Sequence, residues 1–152
     1  MTHYCLGFLF SPDFSKVVLI QKCGPAWQCG KANGVGGKVN IEAESYHAAM
    51  RREAHEELGI DPLTDWKAFA ELSGNYEREE FTLVAFAATS NIVHDRKWRS
   101  EIILKEEPGS VMPVAWIPAL DSPIQNLAWM VFMAQDHLQH GRRFTAEIKY
   151  TS

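Results

Sequence analysis

Residues 36–60 read GGKVNIEAESYHAAMRREAHEELGI. Within them Met50, Ala54 and Leu58 recur at helical spacing, and Gly59 is a natural stop, which predicts a helix from Ser45 to Leu58. At about 3.6 residues per turn, Glu53, Glu56 and Glu57 fall at i, i+3 and i+4 on one face, roughly a quarter-turn from the apolar stripe. The helix can therefore bury one flank and present its acids from another. Arg52 can reach Glu56 on the same face or the upstream Glu44. Three carboxylates so close together resist ionisation. A hard divalent cation relieves that repulsion, and oxygen-only ligands suit Mg²⁺ or Mn²⁺ better than zinc. On an exposed helix such acids would ordinarily form a solvated face. Gly36 and Gly37, just upstream, weigh toward a site because they let backbone approach a metal-phosphate unit closely.

Working outward, apolar runs at 3–10 and 16–22 flank a Ser11-Pro12-Asp13 turn signal and read as strands. Val17-Val18-Leu19-Ile20 is apolar on both faces and belongs inside a sheet. Further strands are expected at 67–74, 81–89, 111–117 and 144–150. Residues 92–110 are polar and read as an irregular loop, and Pro118–Pro123 as a turn region. A second helix is expected at 126–139, with Leu127, Met130, Val131, Ala134 and Leu138 on one stripe. Strands before and after two helices indicate a single α/β domain over 1–152, a mixed sheet covered by helices.

From Glu44 onward the central stretch resembles the signature of the Nudix hydrolases, G-x5-E-x7-R-E-U-x-E-E-x-G-U with U aliphatic. Glu44, seven intervening residues and then Arg52-Glu53-Ala54-His55-Glu56-Glu57-Leu58-Gly59-Ile60 carry the resemblance. The pattern departs once: six residues rather than five separate Gly37 from Glu44, one extra residue within Asn40-Ile41-Glu42-Ala43. Asn33-Gly34-Val35-Gly36-Gly37-Lys38-Val39 is similar to a run in MutT-type and oxidised-purine nucleoside triphosphate pyrophosphohydrolases, with Ala32 replacing a tryptophan. The resemblance implies an α/β/α sandwich and hydrolysis of a diphosphate linkage assisted by Mg²⁺ (Mn²⁺ as an alternative). It implies Glu53, Glu56 and Glu57 as metal ligands, with a backbone carbonyl from Gly37. Arg52 and Glu44 would orient that set. The proton acceptor would be Glu53, Glu56 or an acid from a later loop, with Glu101, Glu106 and Glu107 as candidates.

Substrate contacts are expected from Lys22 and Lys38 to phosphates, each of which can equally be an ordinary surface lysine. Asn33 and Asn126 are candidate base readers, since an amide offers both donor and acceptor; their alternatives are a turn residue and a helix N-cap. Trp27, Trp116 and Trp129 could stack on a base, with core packing as the simpler expectation. The six histidines show no metal-ligand spacing, and His137 and His140 read as surface residues.

The chain's 152 residues carry 15 Lys+Arg against 19 Asp+Glu, a formal net charge of −4. With 46% hydrophobic residues, the composition excludes intrinsic disorder. The acidic balance disfavours nucleic acid and anionic membrane as partners. Three cysteines without C-x-x-C spacing point to buried thiols in a cytoplasmic protein. The expected ligand is a nucleotide or another molecule with a diphosphate linkage, and a homodimer is compatible with the apolar groups of 122–139. The leading function is pyrophosphohydrolysis of a nucleoside triphosphate to the monophosphate and pyrophosphate. The alternatives are hydrolysis of ADP-ribose or dinucleoside polyphosphates, and a catalytically weak nucleotide-binding regulator.

Overall fold

A computed structural model describes residues 1–121 and 123–149. In chain order its elements are β1 (Thr2–Phe10), β2 (Lys16–Gln21), β3 (Ala32–Asn33), β4 (Val35–Lys38), α1 (Tyr46–Leu58), β5 (Lys67–Tyr76) and β6 (Glu79–Thr89), followed by α2 (Arg96–Ile102), β7 (Gly109–Pro113), α3 (Leu127–His140) and β8 (Phe144–Lys149). The strands form one mixed sheet in the order β3-β2-β1-β6-β5-β8, with β4 paired to β1 and β7 to β2. β1 runs parallel to β6, from Thr2 beside Phe81 to Phe10 beside Thr89.

Alternation along the strands builds a core on each face of the sheet. Val18 and Ile20 join Met50, Ala54, Leu58, Trp98 and Ile102 beneath α1 and α2. Val17 and Leu19 join Leu127, Met130, Val131 and Ala134 beneath α3. The result is the expected α/β/α sandwich. Among the described residues, no helix is long and apolar enough to cross a membrane.

The helix that carries the acids is fixed at both ends. The Ser45 side chain accepts from the Ala48 N–H (3.1 Å), a cap worth about 1 kcal/mol. At the other end Gly59 adopts a left-handed φ of 64°, and the Ile60 N–H returns to the Ala54 carbonyl (3.3 Å). Upstream, the one extra residue relative to the signature is absorbed in a tight turn: the Asn40 carbonyl accepts from the N–H groups of Ala43 (2.9 Å) and Glu44 (2.8 Å).

The structure corrects several expectations. The segment 92–110 is not an irregular loop: it holds a 3-10 turn at Asn91–His94, then α2, and from Gly109 the start of β7. Asp95 caps α2 by accepting from the Trp98 N–H (2.7 Å), and the buried Trp98 indole donates to the Leu58 carbonyl (2.7 Å). The strand expected at 111–117 ends at Pro113, and Val114–Ala119 continues as a 3-10 helix because proline lacks the N–H that would extend the ladder. Only Cys5 is a buried thiol, while Cys23 and Cys29 are exposed. His137 is buried rather than on the surface; its Nδ1 lies 2.6 Å from the Arg142 carbonyl, tying the end of α3 to the chain leaving it. None of the three candidate tryptophans packs fully in the core: Trp116 is 64% exposed, Trp27 38% and Trp129 36%. Tyr150, expected to end the last strand, and Ser122, in the expected turn, lie outside the described residues.

Candidate active site

Two acids of α1, Glu53 and Glu56, and Glu44 of its leading turn converge on one guanidinium. Arg52 grips Glu44 with two groups, Nη2 to Oε1 (2.8 Å) and Nε to Oε2 (3.1 Å). Its Nη1 donates to Glu53 Oε1 (2.7 Å) and, less closely, to Glu56 Oε2 (3.4 Å). Nη2 also meets the Lys38 carbonyl (3.3 Å), which ties the helix to β4. A planar fork with several donors suits this role better than an ammonium could. Arg52 holds the Glu44 carboxyl below its ordinary range. The two reaches read from the sequence, to Glu44 and to Glu56, are thus both used.

A second group of acids surrounds Lys22, which leaves the end of β2. Its ammonium lies 2.9 Å from Glu107 Oε2 and 3.8 Å from Glu57 Oε1. Glu107 also accepts from the Cys23 N–H (2.9 Å). Burial alone would raise the Glu107 carboxyl, but the Cys23 N–H and the Lys22 ammonium together hold it below its ordinary value. Glu57 goes the other way: burial, reinforced by Glu107 and Glu53, pushes it up to about 7 against the pull of Lys22. The Gly36 N–H donates to Glu57 Oε2 (3.3 Å). A Cβ added at Gly37 would lie 2.5 Å from Glu53 Oε1, so a larger residue there would have to push that carboxylate aside. Of the three later-loop candidates, Glu107 joins the cluster. Glu101 is engaged on α2 with Lys97 (4.0 Å), and Glu106 is exposed.

Beside the acids a cleft opens on the α3-facing side of the sheet. It has two lobes of about 660 and about 570 Å³, within the range of small-molecule sites. Lys22, Gly36, Gly37 and Lys38 line the first lobe and Gln125 and Asn126 the second, while Asn33 lines both. The two asparagines therefore face one cleft, adjoining the acids rather than among them. Asn33 Oδ1 accepts from the Gly34 N–H (2.8 Å), a local turn contact that leaves its amide hydrogens for a ligand. Asn126 makes no side-chain cap on α3; its Oδ1 accepts from the Trp129 indole (3.2 Å). Sequence reasoning missed two members of this region, the Cys23 N–H and Tyr76. Neither carries a local signal, because each acts through a neighbour distant in sequence.

Residues 2–135 match the family model described as NUDIX domain. The chain belongs to the Nudix family. Membership places it among hydrolases that act on nucleotide diphosphate linkages. Among solved structures, this Nudix domain is similar to the mutator MutT protein of Bacillus halodurans (21% identity, 99% of this chain and 91% of that one, TM-score 0.63). It is also similar to the NUDIX domain of Shewanella oneidensis NrtR complexed with ADP ribose (16% identity, 90% and 87% covered, TM-score 0.68). A third likeness is to a NUDIX hydrolase of Nitrosomonas europaea (14% identity, 98% and 79% covered, TM-score 0.67). At these identities the likeness is one of fold. No curated protein sequence matches the chain.

The donor set of this Nudix domain fits a hard cation. All its side-chain donors are carboxylates, the chemistry that suits Mg²⁺ and Mn²⁺. Glu57 sits where burial and two neighbouring acids penalise its charge, which is where an added cation gains most. Among the described residues, no three His, Cys, Asp or Glu side chains are gathered tightly enough to hold a metal as they stand. In this arrangement Arg52 pairs with Glu53 and Glu56, and Lys22 with Glu57.

Proposed function

We propose that this Nudix domain is a Mg²⁺-dependent pyrophosphohydrolase of nucleoside triphosphates, releasing the monophosphate and pyrophosphate. The observation that carries this reading is the placement of the acids held by Arg52 and by Lys22 beside a cleft that both Asn33 and Asn126 line. Glu53, Glu56, Glu57 and the Gly37 carbonyl would hold Mg²⁺, with Mn²⁺ as a substitute. When bound, the cation neutralises diphosphate charge and makes a water more acidic.

The chain's own residues do the rest. Arg52 keeps Glu53 and Glu56 aimed, with Glu44 as its anchor. Lys22 and the Cys23 N–H keep Glu107 ionised and in place, ready to take the proton of the attacking water. The water oxygen bonds to phosphorus in line with the bridging oxygen that leaves, and the P–O bond to that bridge breaks. Lys22 and Lys38 line the lobe that would receive the phosphates. The amides of Asn33 and Asn126 are placed for the edge of a base, a purine in the preferred reading.

The test is product analysis with Mg²⁺ across canonical and oxidised nucleoside triphosphates, ADP-ribose and dinucleoside polyphosphates. Monophosphate and pyrophosphate from a triphosphate are expected, with turnover lost in Glu56→Gln. Full activity in that variant would remove Glu56 from the ligand set. A second reading, a nucleotide-binding regulator that handles ADP-ribose, is favoured by the similarity to the NrtR domain complexed with ADP ribose. Thermal stabilisation by ADP-ribose without any Mg²⁺-dependent product would select it.

A further inference from the structure

Two cysteines lie in the loop 22–31 that follows β2, and the bonds that close the loop set them opposite each other. The Lys22 N–H donates to the Lys31 carbonyl (2.9 Å), and the Gly30 N–H donates to the Lys22 carbonyl (2.8 Å). Gly30 is left-handed, with φ 77°. Lys22 thus faces Gly30 and Lys31 together across an antiparallel pair, a bulge that opens on a glycine. One step toward the crest, residues 23 and 29 oppose each other without exchanging a backbone bond. The Cys23 N–H goes to Glu107 Oε1 (2.9 Å), and the Cys29 N–H to the Pro25 carbonyl (3.1 Å). Opposed positions of an antiparallel pair hold their Cα atoms about 4.5–5.5 Å apart. A disulfide bridges about 4.4–6.8 Å.

The three thiols of the chain differ in what they can do. Cys23 and Cys29 are both exposed, so a dissolved oxidant reaches them. Cys23 Sγ donates to Glu107 Oε1 (3.5 Å), and local desolvation followed by that carboxylate raises its thiol above the ordinary value. The thiolate is the attacking species, which makes Cys29 the one to open an exchange and Cys23 the one to complete it. Cys5 is buried in the sheet, and burial pushes its thiol up to about 11. It stays inert.

We propose that Cys23 and Cys29 are a redox-active dithiol, oxidised to an intramolecular disulfide by a low-molecular-weight disulfide such as oxidised glutathione, and that this oxidation takes a donor away from Glu107. The Cys29 thiolate attacks one sulfur of the oxidant, whose S–S bond breaks, leaving a mixed disulfide and one released thiol. The Cys23 sulfur then attacks the Cys29 sulfur, gives its proton to solvent and displaces the second thiol. Two protein thiols lose two electrons and two protons in all, and the oxidant becomes two thiols. Cys23 Sγ no longer carries the hydrogen that it donates to Glu107, which keeps only the Cys23 N–H and Lys22. Cys23 is therefore a positioning residue. This second half of the proposal rests on the reading that Glu107 takes the proton of the attacking water, and the first half does not.

The test equilibrates the chain in buffers of oxidised and reduced glutathione, alkylates the remaining thiols and maps the products by mass. A link between 23 and 29 is expected, with Cys5 free. Diluting the buffer tenfold at a fixed oxidised-to-reduced ratio should raise the ratio of disulfide to dithiol about tenfold, because ring closure releases two glutathiones for each oxidant consumed. Cys23→Ser and Cys29→Ser should form only glutathione adducts, which do not respond to dilution. In the native sequence, oxidation should lower kcat about threefold with KM unchanged, and dithiothreitol should restore it. Adducts at both cysteines without a link, or a link through Cys5, would overturn the dithiol. An oxidised chain with the kcat of the reduced one would overturn the coupling to Glu107. A mapped 23–29 link in a chain that hydrolyses no triphosphate when reduced would support the dithiol and remove the hydrolytic reading instead.

Discussion

Arg52 and Lys22 each neutralise a pair or more of carboxylates, but they do so in opposite ways. Around Arg52 the acids come from one helix and the turn leading into it, and the guanidinium reaches Glu44, Glu53 and Glu56 at once. Around Lys22 the acids come from positions 57 and 107, and a single ammonium lies 3.8 Å from one and 2.9 Å from the other. The first arrangement is over-determined and holds the Glu44 carboxyl below its ordinary range. The second leaves Glu57 short of positive charge. A fixed frame thus stands beside a buried carboxyl that its nearest cation compensates only in part.

The comparison breaks most sharply on activity. Glu57→Gln should lower kcat with saturating Mg²⁺ by about a thousandfold or more, as expected when charge stabilisation at phosphorus is lost. A drop of less than about tenfold would place Glu57 with the frame rather than with the cation site.

Stability against pH separates the two groups next. In chelated protein, Glu57 titrates at about 7 rather than at its ordinary 4.5, so the native state binds more protons than the unfolded chain between those values. Stability should therefore fall as pH rises through that window, by up to ~3 kcal/mol. Glu44 has the opposite sign: its folded value is depressed, so its contribution is present above its ordinary pKa and lost as pH falls through the folded one. Urea titrations at pH 5 and pH 7.5 read the difference, and Glu57→Gln should abolish the fall. A flat profile in the native sequence would mean that Lys22 already compensates Glu57.

The smallest effect sharpens the frame itself. Arg52→Lys keeps the charge but loses the fork, and should cost about 1 kcal/mol in urea unfolding. No measurable cost would mean that the network around Arg52 is a surface arrangement with no structural role.

The Arg52 group was legible in the sequence because Arg52, Glu53 and Glu56 lie on one helix and Glu44 lies just before its N-cap. Only the extra residue near Asn40 needed the structure, which folds it into a turn. The Lys22 group was only half legible. Nothing local distinguishes Glu107 from Glu101 or Glu106. What delivers Glu107 is α2, and its sequence RKWRSEI buries only Trp98 and Ile102, too few apolar positions to show a stripe. The cap at Asp95 was the available signal. Likewise Asn33 and Asn126 were singled out separately, but their meeting in one cleft depends on β3 and α3 packing around the same sheet, which no spacing along the chain encodes.

The loop from Lys22 to Lys31 grips Glu107 at its base through the Cys23 N–H, and its crest carries Trp27 against Tyr76. Crest and base are therefore mechanically linked in this chain. An insertion or deletion in the loop that moved Trp27 would also shift the donor that holds Glu107. Side chains of the β5–β6 hairpin take no part in that grip and can change without breaking it.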